Sequence, residues 1–200
     1  MTVFLKGKLK LLSHTTVFMF MNSPSNFSIA LNQPKYVLPK GKGHDLMTAF
    51  SVCFEFPNDN FQMYWNGIII PCSYDYMVAH IIYDVLDMLK AISSQKKGEH
   101  LLNFGMNGLH CDWQLYWNNN DLQIASEWRA APWDSFDALK EYARLETTKL
   151  SFLLEWQKLI QFLIDIIDRS DVKIGGRMYT HKYLLRVDRK VAKRIAELTK

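Results

Sequence analysis

The first half of the chain contains stretches in which apolar and polar residues alternate with a period of two. This alternation predicts β-strands, because successive side chains of a strand point to opposite faces. Phe27–Leu31 shows the pattern. Leu46–Phe56 shows it most clearly, with Phe50, Val52 and Phe54 on one face. We therefore predict strands over both stretches.

Turn residues predict how further strands are connected. Thr15–Met21 is apolar and β-branched, which favours another strand. Phe61–Trp65 and Ile68–Ile70 flank Asn66-Gly67, a dipeptide typical of a type I′ turn. The sequence therefore predicts a hairpin here.

Three further strands are predicted in the middle of the chain, over Leu101–Met106, Leu109–Trp117 and Leu122–Ala130. Residues 118–121 read Asn-Asn-Asn-Asp, which tolerates left-handed backbone, so the last two strands should form a hairpin. Their alternation places Cys111 on the core side.

Apolar residues recur at helical spacing in three segments. Tyr74–Ile92 follows Ser73, a suitable N-cap, and Lys149–Asp168 has a wide apolar stripe. Thr180–Leu198 combines an apolar stripe with basic residues on its other faces, and we expect that stripe to dock on the domain or on a second copy. These segments predict three helices.

Three connecting segments are less regular. Two Pro and two Gly predict a loop over residues 34–43. Asp134 could cap a helix that begins at Ser135, whereas Tyr142–Thr147 would equally fit an edge strand.

Together these elements predict an α+β protein, a mostly antiparallel sheet packed against two long amphipathic helices, with a basic C-terminal helix. We expect both helical stripes to pack on a sheet that carries Phe50, Val52 and Phe54. Residues 1–172 would form a single domain and residues 173–200 a basic helical segment. The length of 200 residues leaves no room for two large domains.

Charge divides the chain into three blocks. Residues 1–42 carry +6, residues 43–172 carry −9 and residues 173–200 carry +7, for a net charge of +4. The acidic middle block would repel nucleic acid; it is either a solvated face of the protein or a surface that docks a basic protein. We therefore expect nucleic acid as a partner only through the C-terminal segment.

Composition excludes several classes. With 48% apolar and 22% charged residues the chain is not disordered. Cys53, Cys72 and Cys111 suit neither a disulfide framework nor a four-ligand zinc site, which favours a reducing, cytoplasmic location. No apolar stretch is long enough to predict a signal peptide or a membrane span.

No group of residues forms a recognisable catalytic motif. His80 and Asp84 stand four apart on a predicted helix, where such a pair usually stabilises the helix. In His110-Cys111-Asp112, strand alternation sends the thiol to the opposite face, so no Cys-His dyad forms there.

Metal and phosphate sites are not favoured either. His100 and His110 lack a third ligand at metal-binding spacing. Residues 40–44, Lys-Gly-Lys-Gly-His, lack the spacing of a phosphate-binding loop and are interpreted as a turn. We expect no metal and no cofactor.

Aromatic and acidic residues instead suggest a binding surface. Alternation predicts that Trp113, Trp117 and Trp128 pack in the core, whereas Trp133, beside a proline, should be exposed. A basic partner could bind there through a Trp133 anchor and the acids around it. The candidate partner-binding residues are Asp112, Asp121, Glu127, Trp133, Asp134 and Asp137.

The order of elements resembles that of bacterial immunity proteins of polymorphic toxin systems. The likeness lies in the hairpin Tyr64–Pro71 (YWNGIIIP) leading into a helix, and in the later helix with Phe152–Trp156 (FLLEW), and it covers roughly residues 1–170. The resemblance implies a small cytoplasmic inhibitor, without catalysis of its own, that covers the active site or substrate surface of one cognate toxin. A homodimer is left open.

Two other functions stay open. The basic C-terminal helix could make the protein a nucleic-acid-binding or regulatory module. Alternatively, His110 and Asp112 could serve a hydrolase, although an acid and a histidine without a positioned nucleophile define no reaction.

Overall fold

The computed structural model describes residues 26–32, 40–54, 60–106, 108–131, 135–175 and 179–200. Within them the chain has an α+β fold, as the sequence predicts. The strand expected over Thr15–Met21 lies outside the described residues.

The described strands form three sheets. A three-stranded antiparallel sheet has the order β1-β3-β4, a four-stranded antiparallel sheet has the order β5-β6-β7-β8, and β2 pairs with β9 in parallel. The strands are β1 (Phe27–Ala30), β2 (Lys40–Gly43), β3 (Asn60–Trp65), β4 (Ile68–Ser73), β5 (Lys97–Met106), β6 (Leu109–Asn118), β7 (Asp121–Ala130), β8 (Arg144–Thr148) and β9 (Asp171–Ile174).

The helices predicted from apolar spacing are confirmed. The Ser73 hydroxyl accepts a hydrogen bond from Met77 N and caps a π-helical turn, Tyr74–Val78, that leads directly into a long helix. The α-helices are α1 (Leu46–Cys53), α2 (Ala79–Ser94), α3 (Ser135–Glu141), α4 (Lys149–Arg169) and α5 (His181–Leu198). The sequence allowed a helix from Ser135 or an edge strand over Tyr142–Thr147. The structure has both, because α3 is followed by the edge strand β8.

The strand predicted over Leu46–Phe56 is wrong, because Leu46–Cys53 is helix α1. Asp45 and Thr48 form a reciprocal capping box that satisfies the first amides of the helix. Leu46, Ala49, Phe50 and Cys53 are buried at helical spacing, whereas Val52 is 51% exposed. The two long helices therefore do not pack on a sheet that carries Phe50, Val52 and Phe54.

The turn predicted at residues 40–44 is also wrong in its first four residues. Lys40–Gly43 is strand β2, and its backbone pairs with Asp171–Ile174 of β9. This distant pairing makes an extended strand of a segment whose Gly and Lys content disfavours one.

Both predicted hairpins are confirmed. Asn66 and Gly67 have φ values of 49° and 81°, as a type I′ turn requires, and Trp65 pairs with Ile68. The second hairpin joins β6 and β7, where Asn118 pairs with Asp121.

The core is centred on Trp113 of β6. Its ring centroid lies 5.0 Å from that of Trp65 on β3 and 4.7 Å from that of Phe104 on β5. Phe27 of β1 meets both Trp113 and Phe152 of α4, at 6.1 and 4.7 Å. The two antiparallel sheets and α4 thus share one aromatic cluster. Trp113, Trp117 and Trp128 are all buried, as predicted.

The C-terminal helix packs on α2 and α4. Leu184, Val187 and Val191 of α5 are buried within the main core. The boundary expected after residue 172 falls inside β9, whose strand continues to Ile174.

Candidate protein-binding surface

The four-stranded sheet has one buried and one solvent-facing side. Along β6 the side chains of Cys111, Trp113, Leu115 and Trp117 are buried, and the residues between them point outward. We call the outward side the sheet face. It comprises Lys97, Glu99, Leu101, Asn103, His110, Asp112, Gln114, Tyr116, Asn118, Asp121, Gln123, Ala125, Glu127, Arg129, Arg144 and Glu146.

Two large apolar side chains are exposed near the middle of the sheet face. Leu101 of β5 is 66% exposed and Tyr116 of β6 is 40% exposed. Leu101 pairs with Gln114, next to Tyr116 on the same side of β6. Exposed apolar side chains within a polar surround are typical of the centre of a protein interface.

One end of the sheet face holds a cluster of ionic contacts. Arg129 Nη2 lies 2.6 Å from Asp112 Oδ2 and 3.2 Å from Glu127 Oε1, and Asn103 donates a hydrogen bond to Asp112. The hydrogen bond from Arg129 holds the pKa of Asp112 below its usual value. Asp112 is therefore ionised and already paired, which weakens its attraction for an external cation.

The other end of the sheet face contains a cavity of about 460 Å³. Tyr116 lines it together with Glu99 and Asp121, and Lys97, Asn118 and Gln123 form the rest of its polar lining. An aromatic ring with a carboxylate on each side suits a guanidinium or ammonium group, which can form an ion pair and a cation–π contact at once.

The structure brings three of the six predicted site residues onto this surface. Asp112 of β6 and Glu127 of β7 are cross-strand neighbours at one end of the sheet face, and Asp121 lies at the other end. Asp137 is exposed in the first turn of α3. Trp133 and Asp134 lie outside the described residues.

Sequence reasoning missed Leu101, Tyr116 and Glu99. Strand parity could have found Leu101, because it shares its face with Glu99 and Asn103 and is apolar at a position where solvent is expected. Tyr116 has the same parity as Asp112, a residue that was singled out.

The groups considered for catalysis are held in other roles. His110 Nε2 lies 3.4 Å from Arg129 Nη1, and Asp112 is paired with the same guanidinium. Cys111 lies on the buried side of β6, where desolvation raises the pKa of its thiol. His80 Nδ1 lies 2.6 Å from the carbonyl oxygen of Tyr76. Among the described residues, no three His, Cys, Asp or Glu side chains are grouped as metal ligands.

Comparison with protein-family models, with curated proteins and with solved structures finds no match to this chain. In the described part of the chain, every helix is too short or too polar to cross a membrane.

Proposed function

We propose that this protein is an immunity-type inhibitor, which binds a basic cognate toxin domain in the cytoplasm and covers its active site or substrate surface. The observation that carries the proposal is the sheet face, where Leu101 and Tyr116 are exposed and Tyr116 shares a cavity with the carboxylates Glu99 and Asp121. Such a surface offers an apolar centre together with charge complementary to a basic partner.

The rigidity of the sheet supports this role. The strands β5, β6 and β7 have ten residues each and are paired along almost their whole length. Below them, Phe104 and Trp113 pack edge to face. A preformed surface loses little conformational entropy on binding, which favours tight association.

The distribution of charge supports a basic partner. The sheet face carries five acids and three bases, and Arg129 already neutralises part of the charge of Asp112 and Glu127. Glu99 and Glu146 lie in the same cross-strand row as Tyr116, and Asp121 lies in the next row. We expect a lysine or arginine of the partner to enter the cavity beside Tyr116 and these acids to speed association.

The test asks whether a toxin domain is encoded beside the gene of this chain and, with that domain, uses bacterial growth and surface-plasmon kinetics as readouts. A genome without such a neighbouring gene would count against the proposal. Tyr116→Ala and Leu101→Ala should each raise the dissociation rate about tenfold and weaken protection of growth, because they remove the apolar centre. Tyr76→Ala and Leu154→Ala are the controls, because they remove an exposed Tyr and an exposed Leu from other elements.

Variants that remove charge test whether the acids of the sheet face act on the association rate, as distinct from the dissociation rate. Glu99→Gln with Asp121→Asn should slow association at low salt and have a smaller effect at physiological salt. Absence of binding to the neighbouring toxin would refute the inhibitor function. Kinetics unchanged by the sheet-face variants but altered by Trp133→Ala would place the interface on the segment that contains Trp133, Asp134 and Asp137.

A further inference from the structure

A groove on another part of the molecule runs between α2 and α5. Its main cavity has a volume of about 530 Å³ and is lined on one side by Lys90 and on the other by Lys182, Arg186 and Arg189. A smaller cavity of about 320 Å³ adjoins it, where Lys90 and Arg186 are joined by Lys190. We call the surface formed by these five cations the basic groove.

The only carboxylate lining these cavities within the described residues, Asp87, is engaged by hydroxyl groups. Tyr179 Oη donates to Asp87 Oδ2 at 3.0 Å and Tyr183 Oη donates to Asp87 Oδ1 at 2.6 Å. These contacts tie α5 and the segment before it to α2. The oxygens of Asp87 thus hold the walls together and do not pair with a groove cation.

The salt bridges among the described residues do not involve the five cations. In the ranges that the structure describes, none has a carboxylate oxygen within 4.0 Å of its charged nitrogens. Lys182, Arg186, Arg189 and Lys190 recur at steps of three and four along α5, which puts them on neighbouring positions of one side. Like charges so placed repel one another, and a bound anion would remove that repulsion.

An aromatic ring lies within cation–π distance of two of the cations at the junction of the helices. Arg186 Cζ lies 4.9 Å and Lys90 Nζ 6.0 Å from the centroid of the Tyr183 ring. Tyr183 is itself held by its hydrogen bond to Asp87. Cation–π attraction to this ring therefore favours a position at the junction for a cation from each side of the groove.

We propose that the basic groove binds phosphate groups of a nucleotide-sized or larger ligand. The main cavity has the volume of a small-molecule site. Arginine offers paired donors that match phosphate oxygens, and lysine adds point charge. The first turn of α5 also borders the cavity at Thr180 and Lys182, where the positive end of the helix dipole adds to the attraction.

The test titrates the full-length protein with inorganic tripolyphosphate, ATP and a labelled single-stranded oligonucleotide of about twelve residues, at about 150 mM salt. The double variant Lys90→Gln/Arg186→Gln should bind tripolyphosphate at least about tenfold more weakly than the wild type. Lys97→Gln/Arg144→Gln removes the same charge from the sheet face and should change binding less than about twofold. Both pairs are exposed side chains, so all variants should keep the wild-type melting curve.

Nuclear magnetic resonance gives a second readout. The Nε–H signal of Arg186 should shift on addition of tripolyphosphate, and that of Arg144 should not. Tighter binding of the oligonucleotide would identify a nucleic-acid backbone as the source of phosphate, and tighter binding of ATP or tripolyphosphate a free polyphosphate. The proposal is overturned if no probe binds below about 1 mM, or if the control pair lowers affinity as much as the groove pair.

Discussion

At the scale of single residues, Lys149 is the most unusual charge in the molecule. Its side chain is 0% exposed, and Nζ donates to the carbonyl oxygens of Gln95 at 3.0 Å and Lys96 at 3.3 Å. Trp117 Nε1 and Arg194 Nη2 donate to the same Gln95 oxygen, at 3.2 and 3.4 Å. These carbonyls follow the C-terminal end of α2, where the helix dipole favours a cation.

Burial nevertheless disfavours the charged form of Lys149. Desolvation, helped by the charge of Arg194, lowers the pKa of Lys149 to about 8 from 10.5. Near pH 7 the folded and unfolded chains both hold the proton, and the folded chain bears the desolvation cost. As pH rises from 8 towards 10.5 the folded chain loses this proton first, so its stability increases.

We therefore predict that the wild type gains about 1 kcal/mol of unfolding free energy relative to Lys149→Met between pH 7 and pH 9. Urea denaturation at a series of pH values measures the difference, and the variant serves as reference because it keeps every other titrating group. Lys193→Met, at an exposed position of α5, should show no such pH dependence. A constant difference between wild type and Lys149→Met would contradict the lowered pKa.

The side of the sheet on which Asp112 lies could be predicted from the sequence. Its ion pair with Arg129 could not. Strand parity places Asp112 and Glu127 outward, as observed. The ion pair with Arg129 forms beside an irregularity in register at His110 and Cys111, which local sequence does not reveal. Asp112, one of the acids predicted to bind a basic partner, is therefore partly neutralised.

At the scale of elements, α1 shows that a sequence can fit the strand period of two and still form a helix. Leu46–Phe56 satisfies a period of two through Phe50, Val52 and Phe54, and its apolar residues also satisfy helical spacing. The capping box of Asp45 and Thr48 favours the helix by satisfying its first amides. That local signal stands in the sequence and could have corrected the prediction.

A strand and a helix over this segment predict opposite environments for the Val52 side chain, buried beside Phe50 in the strand and exposed in the helix. In the helix Phe50 is buried and Val52 is 51% exposed. Phe50→Ala should therefore cost about 3 to 5 kcal/mol of unfolding free energy, and Val52→Ala less than about 0.5 kcal/mol, because alanine also has the higher helix propensity. Urea denaturation of the two variants measures both values. Similar large losses at both positions would instead indicate a strand with one buried face.

The strand β2 could not have been predicted from local sequence. Lys-Gly-Lys-Gly has low strand propensity, and the segment becomes a strand by pairing with β9, more than a hundred residues away in the chain. The hairpins and long helices were predictable because turn residues, caps and apolar spacing act within a few residues. The outward acids could likewise be predicted, because strand alternation is a local signal. The groove between α2 and α5 could not, because it is formed by elements that are far apart in the chain.

At the scale of the whole molecule, the charge blocks and the packing suggest different divisions of the chain. The change to positive charge after residue 172 suggests a separate C-terminal segment. The packing joins that segment to the rest, because Leu184, Val187 and Val191 are buried and Tyr183 is hydrogen-bonded to Asp87 of α2. Elements that share a core usually unfold together.

We therefore predict that damage to α5 is felt in the distant sheet. Leu184→Ala removes a fully buried side chain and should cost about 2 to 5 kcal/mol, whereas Leu154→Ala, at a more exposed site on α4, should cost much less. Hydrogen exchange followed by mass spectrometry should show protection of the β6 amides falling by the same free energy as that of the α5 amides. If only α5 loses protection, it folds as a separate unit, and the charge boundary near residue 172 then also divides the molecule energetically.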